Sequence, residues 1–535
     1  MEYIIVQAGG KGTRLGYLTK NKPKALLPVE NLPMLFHLFR KYPDKRFLII
    51  ADYQKEVLRA YLSAFAQVKH LVVDAEGTGT CAGLRQALAL IPERQPFMLI
   101  WSDLILPEEF RLPEEYGDKV ASRPEHDYIG ISTTFPCRWS YINGEFVEKS
   151  SYENGVAGFF LFTDKSKLQK VPASGELVRW MQQEGKHYRE ASLAGTKEFG
   201  LLEEYQRLAQ EKCRPFNRIT VEGDILVKEA VDPQGAALAQ RECLWYEKAW
   251  QLLAISSEAR FRSCERMQAQ RQDTGLYRQI NSQPRSEILP AVYGKNPLRM
   301  EYIKGKNLYE CDVDREEKKR ILRKIVSALS ALHAAGEIPA DSFSVKEAYF
   351  RKTMDRLSKI EDLVPFAMDR EITINGKKCR NVYFYKRELE QKLELLTCDT
   401  FCFLHGDCTF SNLMLRENGT PVLIDPRGYF GFTEFYGDIR YDWAKLYYSI
   451  VGNYDRFNLK EFRLDIGEEE VHLEIASNHW ENMEETFFSL TGAEPWEIKL
   501  LHAVIWLSLT TYAWQDYDSV CGAFYNGLYY LEDVL

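Results

Sequence analysis

Two aspartates and an asparagine in the second half of the sequence have the types and spacing for phosphoryl transfer. In "FLHGDCTFSNLML" (403–415) Asp407 precedes Asn412, and the next apolar run ends in "VLIDPRG", which supplies Asp425. An Asp can orient an attacking hydroxyl, while an Asn and a second Asp can hold magnesium against the phosphates of ATP. His405 lies two residues before Asp407 and reads as structural. Upstream, Lys228 ends the second of two strands in "FNRITVEGDILVKEA", where a lysine would reach the α- and β-phosphates. Glu242 on the following helical stretch is its expected ion-pair partner, with Glu247 as the alternative.

A different phosphate-handling pattern opens the chain. "QAGGKGTRLGYLTKNKPKALLPV" (7–29) follows the strand-like run "YIIVQ", and its glycines let backbone approach a phosphate chain. Gly10, Gly12 and Gly16 miss the dinucleotide spacing, and the loop is not a Walker loop. Lys11, Arg14 and Lys24 put three cations around it, which suits a triphosphate. Asp103, closing the apolar run "FMLIWSD", is placed to hold a magnesium ion there.

The opening motif resembles the signature of the nucleotidyltransferases that include sugar-phosphate nucleotidyltransferases and phosphocholine cytidylyltransferases. That resemblance covers about residues 1–215. It implies that Lys11, Thr13 and Arg14 in the Gly-rich loop serve the triphosphate and Lys24 the phosphate of the second substrate, with Lys24 and Arg14 acting in catalysis. It gives Asp103 to the metal. The backbone of Ala8, Gly9, Gly10, Gly12 and "GTGTCAG" (77–83), with Gly77 and Thr80, would go to the nucleotide. "SGELVRWM" resembles part of the second-substrate pocket and makes Glu176 a candidate there. Many relatives supply a second metal-binding Asp in a late "DVGT"-like motif; here the nearest match is "LAGT" (193–196), and Glu198 is the candidate substitute.

The second half, about residues 216–535, resembles the aminoglycoside phosphotransferase and choline kinase family, most strongly over 404–442. The resemblance implies Asp407 as the catalytic residue, Asn412 and Asp425 on metal, and a hinge at "LRMEYIKG" where backbone of Glu301 to Ile303 meets adenine. It also implies that Asp438 in "YGDIRYDWAKL" supports the catalytic loop. No activation loop ending in Ala-Pro-Glu is present, so the acceptor is expected to be a small molecule.

The elements that must position these residues read differently in the two halves. Strands alternate with helical patterns over the first hundred residues, which predicts a doubly wound, mixed but mostly parallel α/β sheet with ligands at the strands' carboxyl ends. Beyond 216 a hairpin and a helix lead into a mostly helical region, a two-lobed α+β kinase-like domain. Its C-terminal aromatics could enclose a quaternary ammonium, but core packing is the plainer reading. The 535 residues exceed a single core and predict two to four domains, and the change of pattern near residue 215 divides the chain into two.

A net charge of −8 without a basic tail argues against a nucleic-acid partner. The 11 scattered cysteines contain no CxxC pair, consistent with reduced thiols in the cytoplasm. "LLHAVIWLSLTTYAW" reads as a buried helix, and neither a membrane span nor a leader is expected. Together these readings describe two transferases in one chain. One uses ATP on a small alcohol; the other joins the phosphate product to a second nucleoside triphosphate, CTP or UTP. Magnesium serves both. The alternatives are a kinase with a vestigial first domain, or a nucleotide-sensing module without turnover.

Overall fold

The computed structural model describes residues 1–117, 123–200, 202, 205, 217–231, 233–268 and 287–535. The chain divides into two compact units: Met1–Cys213 with Ala513–Asp518, and Arg214–Tyr512 with Ser519–Leu535.

The first unit is a nine-stranded mixed sheet. Its parallel part is β1 (Tyr3–Gln7), β2 (Arg46–Ala51), β3 (Lys69–Asp74) and β4 (Phe97–Trp101), laid side by side as β3-β2-β1-β4. β1 lies parallel to both β2 and β4, with Gln7 level with Ile50 and Trp101. This register brings the loops after β1 and β4 to the same carboxyl edge. Strand alternation sends Tyr3 and Ile5 to one face and Ile4 and Val6 to the other, and all four are buried. One face packs on α3 (Leu84–Ala89) and α4 (Leu177–Gln183). Helices α1 (Met34–Lys41) and α2 (Lys55–Phe65) bury Phe36, Phe39 and Tyr61, and Phe39 meets Phe47 of β2 at 4.7 Å.

Beyond β4 the sheet turns antiparallel. The short β5 (Leu104–Ile105) follows Asp103, and β6 is Tyr128–Ser132. β7 (Gly155–Phe162) runs antiparallel to β4 and pairs with β6, and β8 (Arg189–Ser192) runs parallel to β6. β9 (Lys197–Glu198) pairs with β5. The parallel arrangement expected from the sequence is therefore that of the first four strands.

In the first unit, Lys22 is buried with its ammonium 2.7 Å from both Asp516 and Asp518. Burial works against this charge; the two carboxylates outweigh it and raise the lysine pKa. Beside them Tyr61 donates to the Trp514 carbonyl, and Trp514 packs 5.3 Å from Phe36.

The second unit starts with a four-stranded sheet ordered β10-β11-β13-β12. The strands are β10 (Asn217–Glu222), β11 (Ile225–Ala230), β12 (Val292–Lys295) and β13 (Leu298–Glu301). A two-residue turn at Gly223-Asp224, with Gly223 at φ 66°, closes the β10–β11 hairpin. Helix α5 (Pro233–Gln268) contacts β11. The helical region contains α6 (Arg315–His333), α7 (Lys352–Ser358), α8 (Ile439–Ile450) and α9 (Pro495–Leu509), with α9 packed on both α7 and α8. α9 is the buried helix expected from "LLHAVIWLSLTTYAW"; inside it, burial pushes the His502 imidazole down to about 3, so it packs neutral. No helix among the described residues is long and apolar enough to cross a membrane.

One element differs from the sequence expectation. Glu371–Ile374, Lys377–Arg380, Phe462–Ile466 and Glu470–Ile475 form a second four-stranded sheet inside the region read as helical. Its first hairpin turns at Asn375-Gly376, both at positive φ, the chemistry such a turn requires.

Removing the Lys22 charge tests the buried triad. Lys22→Met leaves buried Asp516 and half-buried Asp518 without their shared cation, and we expect a loss of about 3–5 kcal/mol, seen as a lower melting temperature. Burial and Asp516 raise the Asp518 pKa, so the deficit should shrink as the pH falls and this carboxyl takes up a proton. An unchanged melting temperature would show that the triad does not hold the unit together.

Candidate active sites

In the first unit the Gly-rich loop leaves β1 at the sheet edge. The Gln7 amide donates to the carbonyls of Thr80 (2.9 Å) and Ala82 (3.1 Å), which ties this loop to 77–83. Ala8 N–H bonds Ile50 O at 2.9 Å. A side chain at Gly9 would come within 2.9 Å of Asp52 Cβ. Gly12, at φ 66°, lies against the stem of Lys24, where an added Cβ would sit 3.2 Å from Lys24 Cβ. Gly10, Lys11, Thr13 and Arg14 are exposed. Lys11 hovers 5.3 Å over the Tyr53 ring, and Arg14 makes no ion pair or hydrogen bond among the described residues.

Lys24 and Asp103 meet at 2.6 Å. The other Asp103 oxygen, Oδ1, is buried without a hydrogen-bond partner. An orphaned carboxylate oxygen at a strand's carboxyl end fits a hard divalent cation. Glu198 reaches the same neighbourhood through strand pairing: it sits opposite Leu104, and the next residue, Phe199, donates its N–H to Asp103 O at 3.3 Å. Burial, then Glu198 and Asp103, push the Cys137 thiol up to about 12, so both carboxylates act on one spot. "LAGT" forms a turn with Gly195 at φ 77° and a buried, unpartnered Thr196 hydroxyl.

Gly77 and Thr80 belong to a loop zipped to 173–177. Gly175 N–H bonds Thr78 O at 2.9 Å, Cys81 N–H bonds Gly175 O at 3.0 Å, and Leu177 N–H bonds the Thr80 hydroxyl at 2.8 Å. A Cβ on Gly77 would fall 1.8 Å from Ala173 O, so only glycine permits this approach. Glu176 accepts from the Trp139 indole at 2.6 Å and pairs with Arg138 at 3.3 Å.

In the second unit Lys228 lies between two carboxylates, Glu242 at 2.6 Å and Asp425 at 2.5 Å. Burial opposes its charge, but Asp425 and Glu242 raise its pKa. Glu247 pairs instead with Lys295, which removes it as the alternative partner. Asp407 receives the Asn412 amide at 2.9 Å and the Lys445 ammonium at 2.9 Å. The Asn412 side-chain oxygen makes no hydrogen bond among the described residues. With Asp425 it offers the oxygen donors that magnesium prefers, so the residues present fit such an ion.

His405 is held neutral by its bonds. Its Nε2 meets the Ile424 carbonyl at 3.0 Å, and its Nδ1 accepts from Asp407 N–H at 3.3 Å. Burial lowers its pKa further, which leaves it a structural role.

Support for the catalytic loop comes from Asp442, not from Asp438. Asp442 is fully buried and accepts from His405 N–H (2.9 Å), Gly406 N–H (2.7 Å) and His333 Nε2 (2.9 Å). Burial would raise its pKa; His333 and the other donors overcome that and lower it. Asp438 caps α8 through Arg440 N–H and pairs with the Arg440 guanidinium, so its oxygens are spent on the helix start.

At the hinge, Glu301 N–H bonds Ala291 O (2.8 Å) and Tyr302 N–H bonds Asp224 O (2.9 Å). The Glu301 carboxylate pairs with Arg416. Ile303 is buried, and its N–H has no partner among the described residues. Lys445, Asp442, Arg427 and Lys352 are given no role in the sequence reading, although Arg427 lies in the quoted "VLIDPRG" and Asp442 and Lys445 lie in "YGDIRYDWAKL".

Comparison with known proteins agrees with this division. Residues 4–114 match the family model of the MobA-like NTP transferase domain, and residues 276–471 that of the phosphotransferase enzyme family. The chain therefore carries an N-terminal NTP transferase domain and a C-terminal phosphotransferase domain. Among curated proteins it is 30% identical over 119 residues to the bifunctional protein GlmU of Methanocaldococcus jannaschii, covering 22% of this chain and 28% of that protein. It is 39% identical over 57 residues to the UTP–glucose-1-phosphate uridylyltransferase AglF of Haloferax volcanii, covering 10% and 24%. It thus spans about a quarter of the length of these relatives. Among solved structures, HddC from Yersinia pseudotuberculosis aligns at 17% identity and TM-score 0.33, covering 39% of this chain and 99% of that one. The CTP:phosphocholine cytidylyltransferase of Streptococcus pneumoniae aligns at 18% identity and TM-score 0.29, covering 39% and 99%.

Asp442→Asn puts an amide NH2 against backbone donors. We expect faster hydrogen exchange at His405 and Gly406 and a stability loss of about 3 kcal/mol, whereas Asp438→Asn should leave those two amides unchanged. The reverse pattern would return loop support to Asp438.

Proposed function

We propose that the chain is a bifunctional transferase. In the second unit the γ-phosphoryl group of ATP passes to the hydroxyl of a small alcohol, a sugar, polyol or amino alcohol. In the first unit the resulting phosphomonoester attacks the α-phosphorus of CTP or UTP. The bond from that phosphorus to the bridging oxygen breaks, and pyrophosphate leaves. The product is an NDP-linked precursor of the kind that cell-surface polysaccharide assembly consumes. The observation that carries this reading is the presence, in one chain, of a site suited to making a phosphomonoester and another suited to using one.

The residues divide the work. Asp407, steadied by Asn412 and Lys445, orients the hydroxyl and takes its proton as the bond to phosphorus forms. Lys228 neutralises the α- and β-phosphates, and the Ile303 N–H receives adenine. In the first unit no general base is needed, because a phosphomonoester is already an anionic nucleophile. Lys11 and Arg14 hold the triphosphate, Lys24 aligns the attacking phosphate, and Glu176 lines the acceptor side. Magnesium, held by Asp103 in one unit and by Asn412 and Asp425 in the other, would neutralise phosphate charge.

Mass spectrometry of a one-pot reaction tests the scheme, with ATP, each of CTP, UTP, GTP and dTTP, and a panel of alcohols. Asp407→Ala should abolish ADP formation yet keep pyrophosphate release when a phosphomonoester is supplied. Lys24→Ala should do the converse, each with a loss of about 100-fold or more. Pyrophosphate never released from any pairing would sink the coupled scheme and leave the kinase alone. ADP formation indifferent to Asp407→Ala would sink the kinase as well.

A further inference from the structure

The surroundings of Asp407 carry far more positive charge than one carboxylate requires. Lys445 already neutralises Asp407 at 2.9 Å. Arg427 crosses behind the same loop: a Cβ on Gly406 would fall 2.9 Å from Arg427 Cβ. Its guanidinium donates to the hydroxyls of Tyr429 (2.8 Å) and Tyr441 and pairs with no carboxylate among the described residues. Helix α7 adds two cations one turn apart. Arg356 donates to the carbonyl and hydroxyl (3.0 Å) of Ser508, and Lys352 makes no hydrogen bond or ion pair among the described residues. Arg241 closes the group over the Tyr429 ring at 5.0 Å.

These cations feel one another. Burial, then Arg427, Arg356 and Lys445, push the Lys352 pKa well below its ordinary value, and Glu347 opposes them only weakly. Burial and Arg427 also lower Arg356. Arg427, Arg356 and Arg241 all act on Tyr429 and pull its pKa down against burial. Like charges gathered in a poorly solvated site are costly unless an anion completes them.

Two of the aromatic faces in this cluster already carry the protein's own cations. Tyr429 has Arg427 on it at 4.4 Å besides Arg241, and Tyr448 has Lys445 at 5.4 Å. At these two rings a quaternary ammonium would have to displace the protein's own charges and then sit among the remainder.

Resting on the kinase reading of this unit, we infer that the alcohol addressed by Asp407 already carries an oxyanion, a carboxylate or a phosphate monoester, received by Lys352, Arg356 and Arg427. Planar guanidinium groups suit either oxyanion, and the ammonium of Lys352 adds an adaptable point charge. The ATP phosphates have their own lysine in Lys228, which is held by Glu242 and Asp425.

The test is steady-state ADP formation by the full chain with magnesium and ATP and four classes of acceptor. These are choline and ethanolamine; glycerol and neutral hexoses; glycerate and hexuronates; and hexose and pentitol phosphates. Anionic acceptors should exceed their neutral counterparts in kcat/KM by about tenfold or more, and the last two classes tell carboxylate from phosphate. Lys352→Gln and Arg356→Gln should each raise the acceptor KM about tenfold while the ATP KM stays within about twofold, and Lys352→Arg should restore it. Melting temperatures matching the parent protein show that the variants fold. Preferred turnover of choline or a neutral alcohol, untouched by these variants, overturns this inference and leaves the kinase standing. So does a rise in the ATP KM alone, which would give the cluster to the nucleotide. ADP formation no greater than that of Asp407→Ala with every acceptor defeats the kinase reading, and this inference with it.

Discussion

A charge taken out of water needs a partner, and in each unit a lysine and an aspartate at the end of a strand serve one another. Lys24 and Asp103 lie 2.6 Å apart; Lys228 and Asp425 lie 2.5 Å apart. Neither residue could be so poorly exposed alone without a penalty of several kcal/mol. Yet in the proposed chemistry the lysine of each pair serves a phosphate and the aspartate a cation. The pairing is thus a placeholder: substrate anion and metal arrive with opposite charges and can take over both halves of the bond together. In each pair the aspartate follows a strand, Phe97–Trp101 or Pro421–Leu423, and the lysine comes to it from the turn Lys24–Leu26 in one unit and from within β11 in the other.

What could be read from the sequence follows from how local the signal is. The alternation of "YIIVQ", "RFLIIA" and "FMLIW" with helical stretches repeats over a hundred residues, and β1, β2 and β4 lie where it puts them. The Lys228–Glu242 pair was legible because a strand end and the next helix are close in any hairpin-helix arrangement. "ITINGKKC" carried an alternating pattern and an Asn-Gly turn, but helical neighbours masked it and its sheet was missed. Asp438 and Asp442 share one motif. An aspartate immediately before a helix is a capping signal, and that distinguishes the first; only tertiary packing shows that the second reaches back to His405 and Gly406.

The cation cluster was invisible for a related reason. Arg241, Lys352, Arg356, Arg427 and Lys445 come from four separate stretches of chain, and no spacing rule joins them. Composition misleads here as well, because a net charge of −8 hides a local gathering of cations. Core packing is the plainer sequence reading of the C-terminal aromatics, with a quaternary-ammonium site as the alternative. In the structure Tyr448, one of them, lies under Lys445, and Tyr429, outside that group, carries Arg427 and Arg241.

The zipped loops of the first unit have a mechanical consequence. Gly77 and Gly79 lie so close to the backbone of Ala173 and Gly175 that any side chain would force them apart. A hydrogen bond from Leu177 to Thr80 fastens the same two segments near Glu176. By resemblance one segment faces the nucleotide and the other the second substrate. Segments joined backbone to backbone move as a single part, so a ligand that orders one has already met the entropy cost of ordering the other. Linkage then requires the help to be mutual, whichever ligand arrives first.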